Sequence, residues 1–231
     1  MKQSYKWTLS SLIKFECISL YGRTFLQHAP HLDKNRKNYL NLGCGLNFIE
    51  SHKTQLGGGG NSNIINADFF SHLKPYKKYP TKKPQWQLDM RYPFKCQNNA
   101  FDGIFTEHVL EHFYIDDAHK LLQECLRILK PNGILRISVP DLQQHIQTYC
   151  ELKNTKEAYR AAEVIRNLTQ EYLHLSVWDY DRLEYELRCI GFSHIQKRSY
   201  LQGNDKSLLF DLECRSKGSL YVEARKPESN I

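Results

Sequence analysis

From Tyr39 onward, short apolar runs alternate with segments of helical periodicity, a pattern that predicts a parallel sheet with helical crossovers. Tyr39-Leu40-Asn41-Leu42 reads as a first strand running into Gly43-Cys44-Gly45. Asn63 to Ala67 reads as a second, ending at Asp68, and Trp86-Gln87-Leu88 as a third, ending at Asp89. Phe101 to Thr106 is a fourth. A helix is predicted from Ile115 to Lys130, with Ala118, Leu121, Leu122, Cys125 and Leu129 on one face and Asp116 and Asp117 at its dipole-favoured start. Pro131-Asn132-Gly133 stops it and turns the chain into a fifth strand, Ile134 to Val139.

Beyond Asp141 the alternation pauses. Residues 141–178 read as a helical insertion placed to form a substrate lid. A helix from Asp179 to Cys189, a stop at Gly191, a strand from His194 to Leu201 and a last strand from Ser219 to Ala224 then complete the pattern. Residues 1–37 form an N-terminal extension ahead of a domain spanning 38–231. Within it Leu9, Leu12, Ile13, Cys17 and Leu20 recur at helical spacing, which predicts a helix packed by that face on the domain. The alternative is a helix lying on a membrane surface.

A chain of 231 residues, 41% hydrophobic, can bury a core without disulfide or metal staples. Its seven cysteines are odd in number, scattered and free of any CxxC pair, so a reducing, cytoplasmic setting is expected and no metal ligands are assigned. No run approaches the roughly 20 apolar residues of a membrane span, and the N-terminal run lacks a cleavage site for a secretory signal. The net charge of +7 is local: residues 1–37 carry seven Lys/Arg against Glu16 and Asp33, and 72–84 carry Lys74, Lys77, Lys78, Lys82 and Lys83 with no acid. The remainder is slightly acidic. That excludes a uniformly basic nucleic-acid coat and leaves the lysine loop, interleaved with Tyr76, Tyr79 and Trp86, as either a solvated surface or an anion-binding element.

Gly43-Cys44-Gly45 at a strand end lets a ligand approach the backbone. Asp68 closes the next strand where an acid can accept both hydroxyls of a ribose, and Asp89 closes the third where it can accept from an adenine amine. A dinucleotide fingerprint would place a third glycine at Phe48 and a helix after it to hold a diphosphate. Neither is present, so the pattern favours an adenosine cofactor carrying a sulfonium and no phosphate.

Asn41 to Gly45, Asn66-Ala67-Asp68, Leu88 to Phe94, Phe101 to His112 and Leu129 to Asp141 together resemble the ordered motifs of class I S-adenosylmethionine-dependent methyltransferases, and most closely the type 11 group of small methyltransferases. The resemblance implies an α/β, Rossmann-like fold, a seven-stranded, mostly parallel sheet with the last strand antiparallel and helices on both faces. It also implies S-adenosyl-L-methionine as cofactor, held by Asn41, Leu42, Gly43, Cys44, Gly45, Asp68, Phe69, Asp89, Met90 and Glu107. Family members place an acid where Asn41 stands and a glycine where Asn47 stands.

Methyl transfer mainly requires alignment of a nucleophile and exclusion of water, with a base about 3 Å from an oxygen nucleophile. His108 is the expected base, His112 the competing choice one turn on, and Glu107 the group that orients cofactor or base. His174 and Trp178, at the end of the insertion, are expected to line the acceptor pocket. A sugar, glycan precursor or small polar metabolite is the expected acceptor. Nucleic acid methylation through the lysine loop and a non-catalytic cofactor-binding module are the alternatives.

Overall fold

A computed structural model describes residues 8–50, 62–70 and 83–228. The strands are β1 (Lys37–Leu42), β2 (Ser62–Asp68), β3 (Trp86–Gln87), β4 (Phe101–Glu107), β5 (Leu129–Pro140), β6 (Ser193–Arg198) and β7 (Ser219–Arg225). They form one sheet in the order β3-β2-β1-β4-β5-β7-β6. All neighbours from β3 to β5 run parallel, while β7 is antiparallel to both β5 and β6. The carboxyl ends of β1, β2, β3 and β4 therefore meet at one edge, which gathers Gly43, Asp68, Asp89 and His108 from four separate stretches of sequence.

The helices are α1 (Leu9–Tyr21), α2 (Ile115–Ile128), α3 (Leu142–Lys153), α4 (Ala161–Arg166) and α5 (Tyr180–Ile190). Helix α2 buries Ala118, Leu121, Leu122 and Cys125, the face its periodicity predicts, in one core with Leu40, Ile104, Leu135 and Val222. It stops two residues earlier than expected, because Leu129 is already extended and pairs with Phe101. A second core joins Tyr39, Ile64 and Phe105 to Leu208 and Phe210, so among the described residues this part of the sheet is covered by a short turn and loop. β6 ends at Arg198, before Leu201 takes a left-handed backbone. Arg136 is wholly buried and pairs with Asp211 at 2.5 Å and Glu223 at 3.3 Å, tying β5 and β7 to the loop before β7.

Helix α1 packs by a face other than the expected one. Leu9, Leu12, Ile13, Cys17 and Leu20 are exposed, and Ser19 and Gly22 are buried. The small residues allow close approach: a Cβ at Gly22 would meet the Phe70 ring at 2.4 Å. Polar bonds fix the choice, since Ser19 Oγ donates to Asp89 Oδ2 at 2.5 Å and Arg91 bridges Asp89 to Glu16. The lysine loop and the Gly57–Gly60 patch lie outside the described residues, apart from Lys83. No described helix is long and apolar enough to cross a membrane.

Candidate active site

The chain leaves β1 through a turn that only glycine fits without strain. Gly43 (φ +77°) donates its N–H to the Ala67 carbonyl at 2.8 Å, and a Cβ there would strike Val109 Cγ2 at 2.2 Å. At Gly45 (φ +52°) a Cβ would meet nothing within 4 Å, so the turn is open toward solvent-filled space. Asp68 is held beside it, accepting the Gly45 N–H at 2.6 Å and the Phe69 N–H at 2.6 Å. Gly43, Asp68, Phe69, Asp89 and Met90 line a cavity of about 620 Å³, with Leu12, Phe15 and Glu16 of α1 contributing a wall. Its volume is within the range of small-molecule sites. An acid beside a cradle that a side chain would fill suits a ribose-bearing ligand, so these residues fit S-adenosylmethionine.

Some expected cofactor residues serve the scaffold instead. Asn41 is buried and its amide donates to the Asn47 carbonyl and to Asn66 Oδ1, both at 2.8 Å. Asn66 also accepts from Ile49 N and donates to its carbonyl, so two asparagines clamp the segment after the glycine turn. Asn41 does not line the cavity; the amide that replaces the family's acid is used within the loop. Leu42 and Cys44 are buried, and burial pushes the Cys44 thiol well above its ordinary pKa. Asp89 does line the cavity, yet both its oxygens accept from Arg91 and one also from Ser19. Burial raises its pKa, but the bonds from Arg91 and Ser19 outweigh that and leave it below the usual value.

Glu107 is placed away from this cavity. Its carboxylate accepts the Leu212 N–H at 3.0 Å and faces Arg215 at 3.5 Å, and burial raises its pKa. Its bonds go to the loop before β7, outside the cavity that Asp68 and Asp89 line. Trp178 is likewise a core residue: it is buried and its indole N–H donates to Ser176 Oγ at 2.9 Å. The tight packing that accommodates so large a ring keeps it out of any acceptor wall.

The histidines are gathered as expected. A second cavity of about 710 Å³ is lined by His108, Glu111, His112, His145 and His174, with Arg215 and Lys217 also at its wall. His145, Asn167 and Leu168 come from the 141–178 insertion, which thus walls this cavity. His108 and His112 line both cavities, so they mark the junction of the cofactor side and the acceptor side. His108 has φ +53°, a costly conformation for a side chain of this type, and its Nε2 lies 2.8 Å from Ser219 Oγ. Ser219 Oγ donates to the Arg215 carbonyl at 2.7 Å. Its one proton is thereby used, so His108 Nε2 is the donor, while Nδ1 faces Glu111 Oε1 at 3.2 Å, an ion-pair distance. Burial lowers the pKa of His112. Glu111, Ser219 and His145 were missed in sequence; only Glu111 carried a signal, its spacing of three from His108.

The sheet order with a glycine turn after β1 and an acid after β2 defines the class I S-adenosylmethionine-dependent methyltransferases. Solved structures of that fold superpose on the chain: a methyltransferase from Archaeoglobus fulgidus (TM-score 0.54, 16% identity, 95% of this chain and 100% of that one) and human N-acetylserotonin methyltransferase with bound cofactor (0.52, 16%, 94% and 54%). Residues 40–137 match the type 11 methyltransferase domain. Curated relatives include the tRNA U34 carboxymethyltransferase of Pseudomonas savastanoi pv. phaseolicola, 26% identical over 145 residues, covering 54% of this chain and 42% of the relative. The protein of the same name from Azotobacter vinelandii is 31% identical over 115 residues, covering 46% and 34%. The chain spans less than half the length of these relatives.

Proposed function

We propose that the protein uses S-adenosylmethionine to modify a nucleic acid, with an RNA as the acceptor. The observation that carries this reading is the pair of cavities meeting at His108 and His112, one bearing the glycine turn and Asp68, the other walled by His145, Arg215 and Lys217. Cations at the acceptor side suit a phosphate backbone. Curated relatives named for modification of a tRNA base support the same acceptor class, so the sequence-based preference for a sugar or small metabolite gives way to its nucleic-acid alternative. A cytoplasmic setting, expected from the cysteines, suits such an acceptor.

The cofactor, when bound, supplies a methyl group activated by its sulfonium. Gly43 and Gly45 admit the ligand to the backbone, Asp68 accepts its ribose hydroxyls, and Phe15, Phe69 and Met90 exclude water from its side of the junction. His108 is the general base, with Ser219 and Glu111 orienting its ring at the junction of the two cavities. His112 lies on the same junction as the competing base.

Incubation of the full chain with methyl-labelled cofactor and total RNA, in parallel with a metabolite and glycan extract, tests the assignment. Label should enter RNA; label entering only the extract would overturn the acceptor class. Cofactor binding without transfer to either pool would favour a non-catalytic module.

A further inference from the structure

Glu111 is among the most buried charged residues of the chain, 1% exposed; neither carboxylate oxygen has a hydrogen-bond partner, and the near ionic neighbour is His108 Nδ1 at 3.2 Å from Oε1. An isolated buried carboxylate is strongly disfavoured unless a cation or proton meets it. What surrounds Glu111 is three imidazoles. His174 Nδ1 lies 2.5 Å from the Leu168 carbonyl, an acceptor only, so Nδ1 bears the proton and Nε2 presents a lone pair 4.0 Å from Glu111 Oε1. His112 packs edge-on against His174 with ring centroids 5.0 Å apart, and Leu173 adopts φ +60°, a strained backbone for leucine. His108 Nε2 donates to Ser219, and its Nδ1 faces Glu111 Oε1. His174 thus turns a lone pair toward a carboxylate that has only lone pairs to offer, with His112 beside both.

Such a convergence of electron-pair donors is what a cation site looks like before the cation arrives. One ligand atom each from Glu111, His112 and His174 can be chosen so that all lie within 4.8 Å of one another. Tetrahedral bonds of about 2.0–2.2 Å to a shared ion would hold such atoms about 3.3–3.6 Å apart, so the side chains would close in by about an ångström on binding. The backbone carbonyl of Leu168 holds the His174 ring in the tautomer that a metal needs, the usual outer-shell arrangement for a ligating histidine. The Glu111 carbonyl accepts from Leu175 N at 2.7 Å and Ser176 N at 3.1 Å, so the segment carrying His174 is anchored to the ligand it faces.

We propose that Glu111, His112 and His174 bind one divalent transition-metal ion. Two imidazoles and a carboxylate suit Zn²⁺, Co²⁺, Mn²⁺ or Fe²⁺ better than the all-oxygen cations Mg²⁺ and Ca²⁺. All three residues line the acceptor cavity, so the positions left open by three protein ligands face the acceptor. An ion there would bind an acceptor oxygen and lower its pKa, with His108 beside it to take the proton. This role rests on the transfer reading above; the ion site itself does not.

The test is titration of the chelator-stripped full chain with Co²⁺, followed by its visible absorption and by calorimetry, with Zn²⁺ as competitor. One equivalent should bind, with binding weakened at least tenfold in Glu111→Gln and in His174→Ala and unchanged in His28→Ala. Circular dichroism confirms that each variant is folded, and the wild-type titration needs no variant at all. Absence of stoichiometric uptake by folded wild-type chain, or equal uptake by both ligand variants, would overturn the site. Cofactor binding measured on the same stripped protein separates the two ideas. Cofactor bound without metal uptake overturns the ion site alone; metal uptake without cofactor binding overturns the transfer reading alone.

Discussion

Ser19 Oγ donates to Asp89 Oδ2 at 2.5 Å across seventy positions of sequence, so the helix ahead of the sheet is fastened to the acid that closes β3. Because Leu12, Phe15 and Glu16 of the same helix line the cofactor cavity, docking of α1 and completion of that cavity are one event. Ser19→Ala leaves a buried carboxylate short of one bond, a loss of about 1–3 kcal/mol. Amide exchange across α1 should quicken and cofactor affinity should fall, while the sheet keeps its protection. Unchanged exchange in α1 would show that the bond does not hold the helix.

Docking of α1 should also depend on pH with a definite sign. Burial raises the Asp89 pKa, yet Arg91 and Ser19 bring it below the ordinary value. A carboxyl with a depressed folded pKa stabilises fully above its unfolded value, near pH ~3.9, and loses that contribution as pH falls through the folded value. The protection factors of α1 amides, exchange corrected for its intrinsic pH dependence, should therefore be flat from neutral pH to about 5 and fall only below about 4. Asp89→Asn should remove that acid limb.

The roles proposed for Asp68 and His108 divide binding from chemistry. Asp68→Ala should weaken cofactor binding at least tenfold by calorimetry, through loss of the ribose acceptor and of the brace on Gly45 at 2.6 Å. His108→Ala should leave that affinity within about threefold and lower turnover by about 10²–10⁴-fold. Equal loss of binding in both variants would refute the division. Gly43→Ala should resemble the Asp68 variant, because its Cβ would strike Val109 at 2.2 Å.

Arg136 is the largest buried charge outside the site. Its guanidinium meets Asp211 at 2.5 Å and Glu223 at 3.3 Å, with donors also to the Gln202 and Ser199 carbonyls. Arg136→Met leaves Asp211 without its buried cation and Glu223 with Arg198 alone, and should cost about 3–5 kcal/mol in denaturant unfolding. The triple change Arg136→Met, Asp211→Leu, Glu223→Leu should recover much of the loss.

Arg215 and Lys217 test the acceptor. In Lys217→Ala, RNA binding should weaken by a similar factor across sequences, and the dependence of log K on log salt should flatten by about one phosphate contact, ~0.7–0.9. Arg215→Ala is less clean, since this guanidinium also bonds the Glu107 carbonyl at 3.2 Å. A salt slope identical to wild type in Lys217→Ala would remove that residue from the acceptor surface.

Sequence by itself determined the sheet and the cofactor turn. Strand alternation, the stop at Pro131-Asn132-Gly133 and the apolar face of α2 are local patterns, and their physical cause, burial of one face of a periodic element, acts within a few residues. The glycine turn and the acids at two strand ends were legible for a related reason: parallel strands must present their carboxyl ends together. Tertiary structure alone decided which face of α1 is buried, because Ser19 and Gly22 were selected by Asp89 and Phe70, partners invisible to helical periodicity. It also removed Glu107, Asn41 and Trp178 from the ligand-contacting set, since each found a hydrogen-bond partner within the scaffold. Finally, only the fold turned His174, more than sixty residues beyond Glu111, toward that buried carboxylate. Sequence spacing reports neighbours along a helix; the meeting of His174 with Glu111 is a property of the cavity that the insertion closes.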